Sequence, residues 1–289
     1  MAKIRYINDD HKEFQKDFDV LCRTRQRWQV WSDFVHMAAY SISNAIDTVH
    51  REKREAEYLK IASRYTATEL EAVARLLSMT VIALETNPDQ DFLGELYMKL
   101  ELGNAYAGQF FTPYCVSKMM AVMNVGMATS ELEHKGFISV NDCCVGGGAM
   151  LIAFANACRE KNLNYQSNVL FVGQDIDHTV GMMAYIQLSL LGCPGYIVIG
   201  NSLTEPLVGD PLYAPMERET YITPLYCSTI WKTRRILRTV DAMFSVLPHK
   251  PAEETQDPTP QIVSKKKHKI SKFVQLSVFD IDGNGKGTN

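Results

Sequence analysis

Apolar residues recur about once per helical turn through the first hundred positions. Residues 28–49 have the spacing of an amphipathic helix, with apolar positions at Val30, Phe34, Met37, Ala38, Ile42 and Ile46. A second helix is predicted after Thr66, because Thr66 and Glu69 have the spacing of a capping box and an apolar run follows. Residues 89–102 form a third amphipathic candidate. Residues 1–102 are therefore interpreted as an N-terminal helical region with no chemistry of its own.

The pattern changes after residue 103, where short runs of β-branched and aromatic residues alternate with longer amphipathic stretches. The short runs lie at 137–141, 169–173 and 196–200, and the longer stretches at 149–161 and 178–191. This alternation predicts an α/β fold, a parallel sheet with crossover helices. A fourth apolar run at 240–247 predicts a further strand. From residue 251 onward the chain is polar and contains prolines, which predicts a flexible tail.

Composition excludes a wholly disordered or fibrous chain, and the net charge bears on nucleic-acid binding. The 289 residues carry a formal net charge of -3 and are 46% hydrophobic, which is typical of a globular chain and gives no global signal for nucleic acid. Contact with DNA then depends on local basic patches at 231–238 and 265–269, which are equally well explained as solvated faces. No stretch approaches the ~20 apolar residues of a membrane span.

Cysteine usage indicates a reducing compartment. The 7 cysteines are odd in number, include no Cys-x-x-Cys pair and follow no secretory signal. This predicts free thiols, a cytoplasmic location and no zinc site. The segment 280–285 begins like a calcium loop, but the sequence ends before the glutamate that such a loop needs, so no metal site is predicted.

Polar residues follow each of the three predicted strands. Gly146 and Gly148 lie between the first strand and its helix, where they either let a ligand approach the backbone or form a tight turn. After the second strand, Asp175 suits hydrogen bonds to ribose hydroxyls, while Asp177 suits the cap of the next helix. Asn201 follows the third strand. Because the carboxyl ends of parallel strands share one edge, these residues predict a site for a nucleoside-type ligand.

Four segments in this order resemble one known family. They are 108–113 (Gly-Gln-Phe-Phe-Thr-Pro), 142–152 (Asp-Cys-Cys-Val-Gly-Gly-Gly-Ala-Met-Leu-Ile), 173–177 (Gly-Gln-Asp-Ile-Asp) and 200–203 (Gly-Asn-Ser-Leu). Together they resemble the S-adenosylmethionine-dependent N6-adenine DNA methyltransferases, especially the modification subunit of type I restriction systems. The resemblance implies a Rossmann-like class I methyltransferase core over 103–250, after the helical region 1–102 and before the tail 251–289. It also implies S-adenosylmethionine as cofactor and DNA as substrate.

The resemblance assigns a role to each candidate cofactor residue. The residues expected around the methionine part of the cofactor are Phe110, Thr112 and Pro113. The residues matching the glycine-rich loop are Asp142, Gly146 and Gly148, and the ribose-binding acid is Asp175. Near the cofactor adenine, Asn201 replaces the family's usual Asp, which leaves an acceptor without a charge. Cys143 and Cys144 stand where the family usually has Pro and Ala.

The same resemblance implies a catalytic motif, Asn-Pro-Pro-Phe/Tyr, after the fourth strand. In the family its polar side chain accepts a hydrogen bond from the flipped adenine, and its aromatic ring stacks on that base. At the corresponding place this chain has Val246, Pro248 and His249, and valine cannot accept a hydrogen bond. A second candidate, Asp210 and Tyr213, stands in Asp-Pro-Leu-Tyr. The chain is thus either an N6-adenine DNA methyltransferase or a degenerate relative that keeps the cofactor pocket and acts as a binding or regulatory partner in a restriction–modification or mobile-element context.

The C-terminal part of the sequence suggests two kinds of protein partner. The sequence ends before the further strands that a full fold of this class adds, so we expect a truncated sheet whose edge is covered by a partner chain or a second copy. In the tail, Gln275, Leu276 and Phe279 resemble the peptide by which bacterial replication proteins bind the sliding clamp.

Overall fold

The computed structural model describes residues 9–102, 111–246 and 274–275. The N-terminal part is helical, as predicted, with α1 Asp9–Leu21, α2 Arg27–Asn44, α3 Arg51–Ala62, α4 Ala67–Thr86 and α5 Phe92–Lys99. The capping box at the start of α4 is confirmed, because Thr66 and Glu69 each accept a hydrogen bond from the other's backbone N–H. Asp91 caps α5 by accepting from the Gly94 N–H at 3.0 Å.

The strands form a mixed, mostly parallel sheet. They are β1 Ile138–Asp142, β2 Val169–Asp175, β3 Gly195–Ile199, β4 Thr220–Ile222 and β5 Val274–Gln275, in the order β4-β3-β2-β1-β5. β1, β2 and β3 are parallel neighbours, which confirms the three predicted strands, and β4 pairs with β3 in the antiparallel sense. The outer edge of β1 pairs with β5 over two residues, Val140 with Val274 and Asn141 with Gln275. Part of the predicted flexible tail therefore lies in the sheet.

The crossover helices lie where the pattern predicts them, but the fourth predicted strand is wrong. After β1 come α7 Ala149–Glu160, the single turn α8 Tyr165–Asn168 and α9 His178–Leu190. Helix α6 Tyr114–Lys135 precedes β1, and α10 Thr229–Val246 lies between β4 and β5 along the chain. Residues 240–246 belong to α10. The exposed apolar residues of α10 repeat with helical spacing: Ile236, Leu237, Val240, Met243 and Phe244. The strand prediction considered only residues 240–247, a stretch too short to show this helical period.

The N-terminal helices and the sheet share one hydrophobic core. Aromatic rings pack between α1 and α2, where the centroids of Phe14 and Phe34 lie 5.5 Å apart. The same cluster of buried side chains continues into α7, α9 and the strands. A buried guanidinium also crosses between the two regions, because Arg54 on α3 donates to the Thr220 carbonyl of β4 at 2.7 Å. The helical region and the sheet are therefore joined by a shared core and by this buried hydrogen bond.

Within these described ranges, none of the helices combines the length and apolar character needed to cross a membrane. The same residues bring together no group of three or more His, Cys, Asp or Glu side chains that could hold a metal ion. The cysteines carry free thiols.

Candidate functional site

The segment between β1 and α7 is a tight turn that depends on glycine. Gly146 and Gly148 have φ angles of 55° and 97°, at which an L side chain is strained. At Gly148 a Cβ atom would also lie 3.3 Å from the Ala184 Cα on α9, so space is short. Gly148 is the N-cap of α7. The turn therefore presents the N-terminus of a helix at the carboxyl end of β1.

Asp175, the last residue of β2, binds this glycine turn. Its Oδ2 accepts a hydrogen bond from the Gly146 N–H at 2.8 Å, and its Oδ1 accepts one from the Asp177 N–H at 3.0 Å. Asp177 caps α9 by accepting from the Val180 N–H at 3.1 Å. The helix-capping role predicted for Asp177 is therefore confirmed, and Asp175 is the acid that faces the turn.

Two partly buried carboxylates lie at neighbouring strand ends. Asp142 ends β1 and accepts from the Cys144 N–H at 3.1 Å. Burial raises the pKa of both Asp142 and Asp175, and the charge of Asp175 raises that of Asp142 further. The hydrogen bonds described for both carboxylates come from backbone N–H groups. A ligand that brings hydroxyl or ammonium donors would stabilise both charges.

A buried network supports the glycine turn. Gln187 on α9 donates to the Gly147 carbonyl at 2.8 Å and to Asp91 Oδ1 at 2.7 Å. Its Oε1 accepts from the Leu93 N–H at 3.0 Å. Burial raises the pKa of Asp91 to about 6. Through this network α5 holds the backbone of the turn. Sequence reasoning missed Gln187, because α9 is buried almost all round and its polar positions show no period. It missed the network role of Asp91 because its partner Gln187 is 96 positions away in sequence.

Phe111 brings an aromatic ring to the turn. A Cβ atom on Gly146 would lie 3.5 Å from the Phe111 ring, and that ring is stacked with Tyr97 at a centroid distance of 5.2 Å. The sequence resemblance assigned the aromatic role to Phe110, which lies outside the described residues. Phe111 is the second aromatic of the same Gly-Gln-Phe-Phe-Thr-Pro segment, so the motif itself contained the signal.

A cavity of ≈ 470 Å³ opens between α6, α7 and the carboxyl end of β1. Its volume lies in the range of small-molecule sites. Thr112 and Asp142 both line it, so two of the predicted cofactor residues share one pocket. Pro113 is the exposed N-cap of α6 and is not among the lining residues. Asp175 lies outside the lining as well, although its charge raises the pKa of Asp142, which lines the cavity.

Asn201 lies at the same edge, and its side-chain oxygen forms hydrogen bonds within its own turn. The preceding residue, Gly200, donates its N–H to the Asp175 carbonyl at 2.8 Å. The Asn201 side-chain oxygen accepts from the Leu203 N–H at 2.9 Å, as in an Asx-turn. The acceptor role predicted for Asn201 towards a ligand stays a prediction.

The second pair of catalytic candidates contacts α10. Asp210 accepts from Arg238 Nε at 2.9 Å and from the Leu212 N–H at 3.1 Å. The Tyr213 hydroxyl donates to the Arg235 carbonyl at 3.0 Å. These contacts attach the loop after β3 to α10, and they use hydrogen-bonding groups that catalysis would need.

The first set of catalytic candidates lacks the strand from which it was assigned. Val246 is the last residue of α10, and Pro248 and His249 lie outside the described residues. The assignment placed them after a fourth parallel strand, whereas the preceding residues are helical.

Comparison with known proteins gives one family and several structural likenesses. Residues 89–258, more than half of the chain, match the family described as N-6 DNA Methylase. A structure assigned to the class I S-adenosylmethionine-dependent methyltransferases, from Listeria monocytogenes, is 12% identical with a TM-score of 0.37, over 71% of this chain and 57% of that one. The type I restriction-modification system methyltransferase subunit from Streptococcus thermophilus is 18% identical with a TM-score of 0.35, over 71% and 42%. No curated protein matches the chain.

The family match includes the segments that build the site. The glycine turn, Asp175 and Asn201 all lie within 89–258, together with β1, β2 and β3. The solved structures are longer, since the chain spans 57% and 42% of their lengths. On the match over more than half of its length, this chain belongs to the N-6 DNA Methylase family, and its core is the predicted mostly parallel α/β sheet preceded by helices.

Proposed function

We propose that this protein binds S-adenosylmethionine at the carboxyl ends of β1 and β2 and takes part in N6-adenine methylation of DNA in a restriction–modification system. The observation that carries the proposal is the 2.8 Å hydrogen bond from the Gly146 N–H to Asp175 Oδ2, which joins the glycine turn to the acid of the next strand. Family membership supports the reaction class.

The residues at this edge suit a cationic nucleoside. Asp142 and Asp175 offer carboxylate oxygens to the ribose hydroxyls and the amino group, and their burial makes such donors more favourable. The turn at Gly146 lets a ligand approach the backbone, and Phe111 offers a ring beside it. Bound S-adenosylmethionine would supply an electrophilic methyl group on a positively charged sulfur.

Methyl transfer requires more than the cofactor. The adenine amino group is a poor nucleophile, so the protein must accept a hydrogen bond from it and aim it at the methyl group. Asp210 is the described candidate for this acceptor, and Val246, Pro248 and His249 form the other candidate position. In the enzyme hypothesis, Asp210 exchanges its bond with Arg238 for one with the base.

A second function, cofactor binding without methyl transfer, is favoured by one observation. Asp210 and Tyr213 already bind Arg238 and the Arg235 carbonyl. Val246 ends the same helix that these residues contact. In this case the protein would serve as a binding or regulatory partner of a restriction–modification system.

Contact with DNA is expected to be weak for the chain alone. In the basic patch of α10, Arg234 and Arg235 donate to backbone carbonyls and Arg238 pairs with Asp210. We therefore expect tight DNA binding only in a cytoplasmic assembly with a partner or a second copy, which would cover the sheet edge at the two-residue strand β5. Sliding-clamp contact through Gln275 would compete with its pairing to Asn141, and Leu276 and Phe279 lie outside the described residues.

Calorimetric titration with S-adenosylmethionine tests the proposal. We expect binding by the wild type, its loss in Asp175→Ala, and wild-type affinity in the control Asp210→Ala, whose carboxylate lies in the loop. Absence of binding by the wild type would contradict the proposal. A labelled-methyl assay on DNA then separates the two functions: transfer that depends on Asp210 supports the enzyme, and binding without transfer supports the partner.

A further inference from the structure

The peptide bond between Gly147 and Gly148, in the glycine turn, is held at both of its polar ends. Its carbonyl oxygen, on Gly147, accepts a hydrogen bond from Gln187 Nε2 at 2.8 Å. Its N–H, on Gly148, donates to the Val145 carbonyl at 2.8 Å. Both glycines are buried. The orientation of this one peptide plane therefore depends on one contact within the turn and on one side chain from α9.

The local backbone does not select this orientation by itself. Because Gly147 and Gly148 both lack a Cβ atom, the peptide plane between them can rotate by half a turn at little steric cost. The rotation would take the φ angle of Gly148 from 97° to the negative region, which every residue adopts. It would also break both hydrogen bonds of the peptide. Those two bonds therefore decide between the two orientations.

The side chain of Gln187 is fixed in the position that this role requires. It is fully buried, its Nε2 donates to Asp91 Oδ1 at 2.7 Å, and its Oε1 accepts from the Leu93 N–H at 3.0 Å. Exchanging the amide oxygen and nitrogen would set an oxygen against two acceptors, so one amide orientation fits. Asp91 is held in turn by the Gly94 N–H at 3.0 Å. An N–H donor of Gln187 is thus kept facing the Gly147 carbonyl.

The start of α5 packs directly against the same part of the turn. A Cβ atom on Gly147 would lie 3.2 Å from Asp91 Oδ1 and 3.3 Å from the Gly94 Cα. Helix α5 belongs to the N-terminal helical region, which the sequence was interpreted as having no chemistry of its own. The family match nevertheless begins at residue 89 and includes α5. The helical region therefore contributes both packing and hydrogen bonds to the turn.

We propose that Gln187 is a positioning residue for the cofactor site: it selects the orientation of the Gly147–Gly148 peptide in which the turn binds S-adenosylmethionine. The inference rests on the proposed function, since it names a determinant of the same site. The link to the ligand is Gly146, which precedes this peptide and donates to Asp175 at 2.8 Å. Turning the peptide over moves the Gly147 carbonyl out of the buried network and alters the backbone next to the Gly146 N–H. With the orientation preset, no affinity is lost in selecting it.

The test is calorimetric titration of S-adenosylmethionine on the wild type, Gln187→Met and Gln90→Met. Methionine is unbranched like glutamine and removes its hydrogen bonds. Without the donor the binding-competent orientation becomes a minor fraction, so we expect the dissociation constant of Gln187→Met to rise about fivefold. Gln90→Met is the matched control, because Gln90 is also buried and its Nε2 also donates twice, to the Ala83 and Asn87 carbonyls at 2.9 and 2.8 Å. Both variants should lose stability, whereas only Gln187→Met should lose affinity.

Hydrogen exchange in the ligand-free protein reads the peptide orientation directly. The Gly148 N–H, which donates to Val145, should be protected in the wild type and in Gln90→Met. In Gln187→Met we expect it to exchange about tenfold faster relative to the amides of β2, which serve as the internal reference for overall stability. The side-chain N–H groups of Gln187 should also exchange slowly in the wild type, a measurement that needs no variant.

A second substitution serves if Gln187→Met does not fold. Gln187→Glu keeps the acceptor for the Leu93 N–H and shares one proton with Asp91, which leaves the Gly147 carbonyl without its donor, so we expect the same losses. Wild-type affinity in the Gln187 variant, an unchanged Gly148 amide, or rapid exchange of the Gln187 side chain in the wild type overturns the inference while cofactor binding stands. Absence of binding by the wild type overturns the proposed function and the positioning role with it.

Discussion

The strand ends of β1 and β2 and the loop after β3 hold residues of similar chemistry in different surroundings. At the strand ends, Asp175 receives backbone N–H donors from Gly146 and Asp177. In the loop, Asp210 forms an ion pair with Arg238. A parallel sheet brings its strand ends to one edge whatever else packs nearby, whereas a loop residue takes its partners from the element it packs against. The carboxylates at the strand ends therefore have backbone N–H partners, whereas the carboxylate in the loop is used in an ion pair of the fold.

The largest expected effect concerns Asp91, the buried carboxyl that supports the glycine turn through Gln187. Its pKa is raised from 3.8 to about 6, so its contribution to stability is full below 3.8 and is lost as the pH rises through about 6. The difference corresponds to about 3 kcal/mol. We expect the wild type to lose this amount relative to Asp91→Asn between about pH 3 and pH 7 in urea unfolding. A difference that stays constant over this range would contradict the prediction.

The next effect is on cofactor affinity. Asp175→Ala should weaken S-adenosylmethionine binding by about 100-fold, since charge-assisted hydrogen bonds to the ligand and the bond to the Gly146 N–H are both lost. Asp175→Asn keeps one acceptor and should weaken binding by only about tenfold. Calorimetry on both variants gives the comparison. Equal losses in the two variants would mean that the charge, and not the acceptor geometry, dominates.

A pair of glycines tests the two regions directly. Gly148 in the turn and Gly209 in the loop have φ angles of 97° and 99°, but a Cβ at Gly148 would meet Ala184 at 3.3 Å, whereas at Gly209 nothing lies within 4 Å. Both alanine variants introduce backbone strain of about 1 kcal/mol. Gly148→Ala should cost about 1 kcal/mol more, because the neighbour must also move. Denaturant unfolding of the two variants measures this difference, and equal costs would remove the steric argument for the turn.

The smallest effect is expected in the loop. Asp210 and Arg238 are partly exposed, so their double-mutant cycle should give a coupling of about 0.5–1 kcal/mol in unfolding experiments. Cofactor affinity should stay unchanged in Asp210→Ala. If methyl transfer is found and Asp210→Ala abolishes it while the cofactor still binds, the contrast between the two regions fails and Asp210 becomes the catalytic acceptor.

The hydrophobic pattern predicted an element correctly where burial alone explains its apolar residues. β2 is buried along almost its full length, so an apolar run sufficed to place it. α10 was mistaken for a strand because its exposed apolar residues, among them Val240 and Phe244, mimic a buried run within a short window. The network of Asp91 and Gln187 was out of reach for a different reason, since its partners are 96 positions apart in sequence.

The sequence by itself determined the three parallel strands, the glycine turn, the helix cap at Asp177 and the family resemblance, because each depends on residues close together along the chain. Tertiary structure decided which acceptors remain for a ligand. Packing of the loop against α10 engaged Asp210 and Tyr213, and packing of α2 against α9 brought His36 to His178 across 142 positions. Each side chain has its own hydrogen-bond donors and acceptors, but long-range packing determines which partners they meet. The order of residues along the chain does not show those partners.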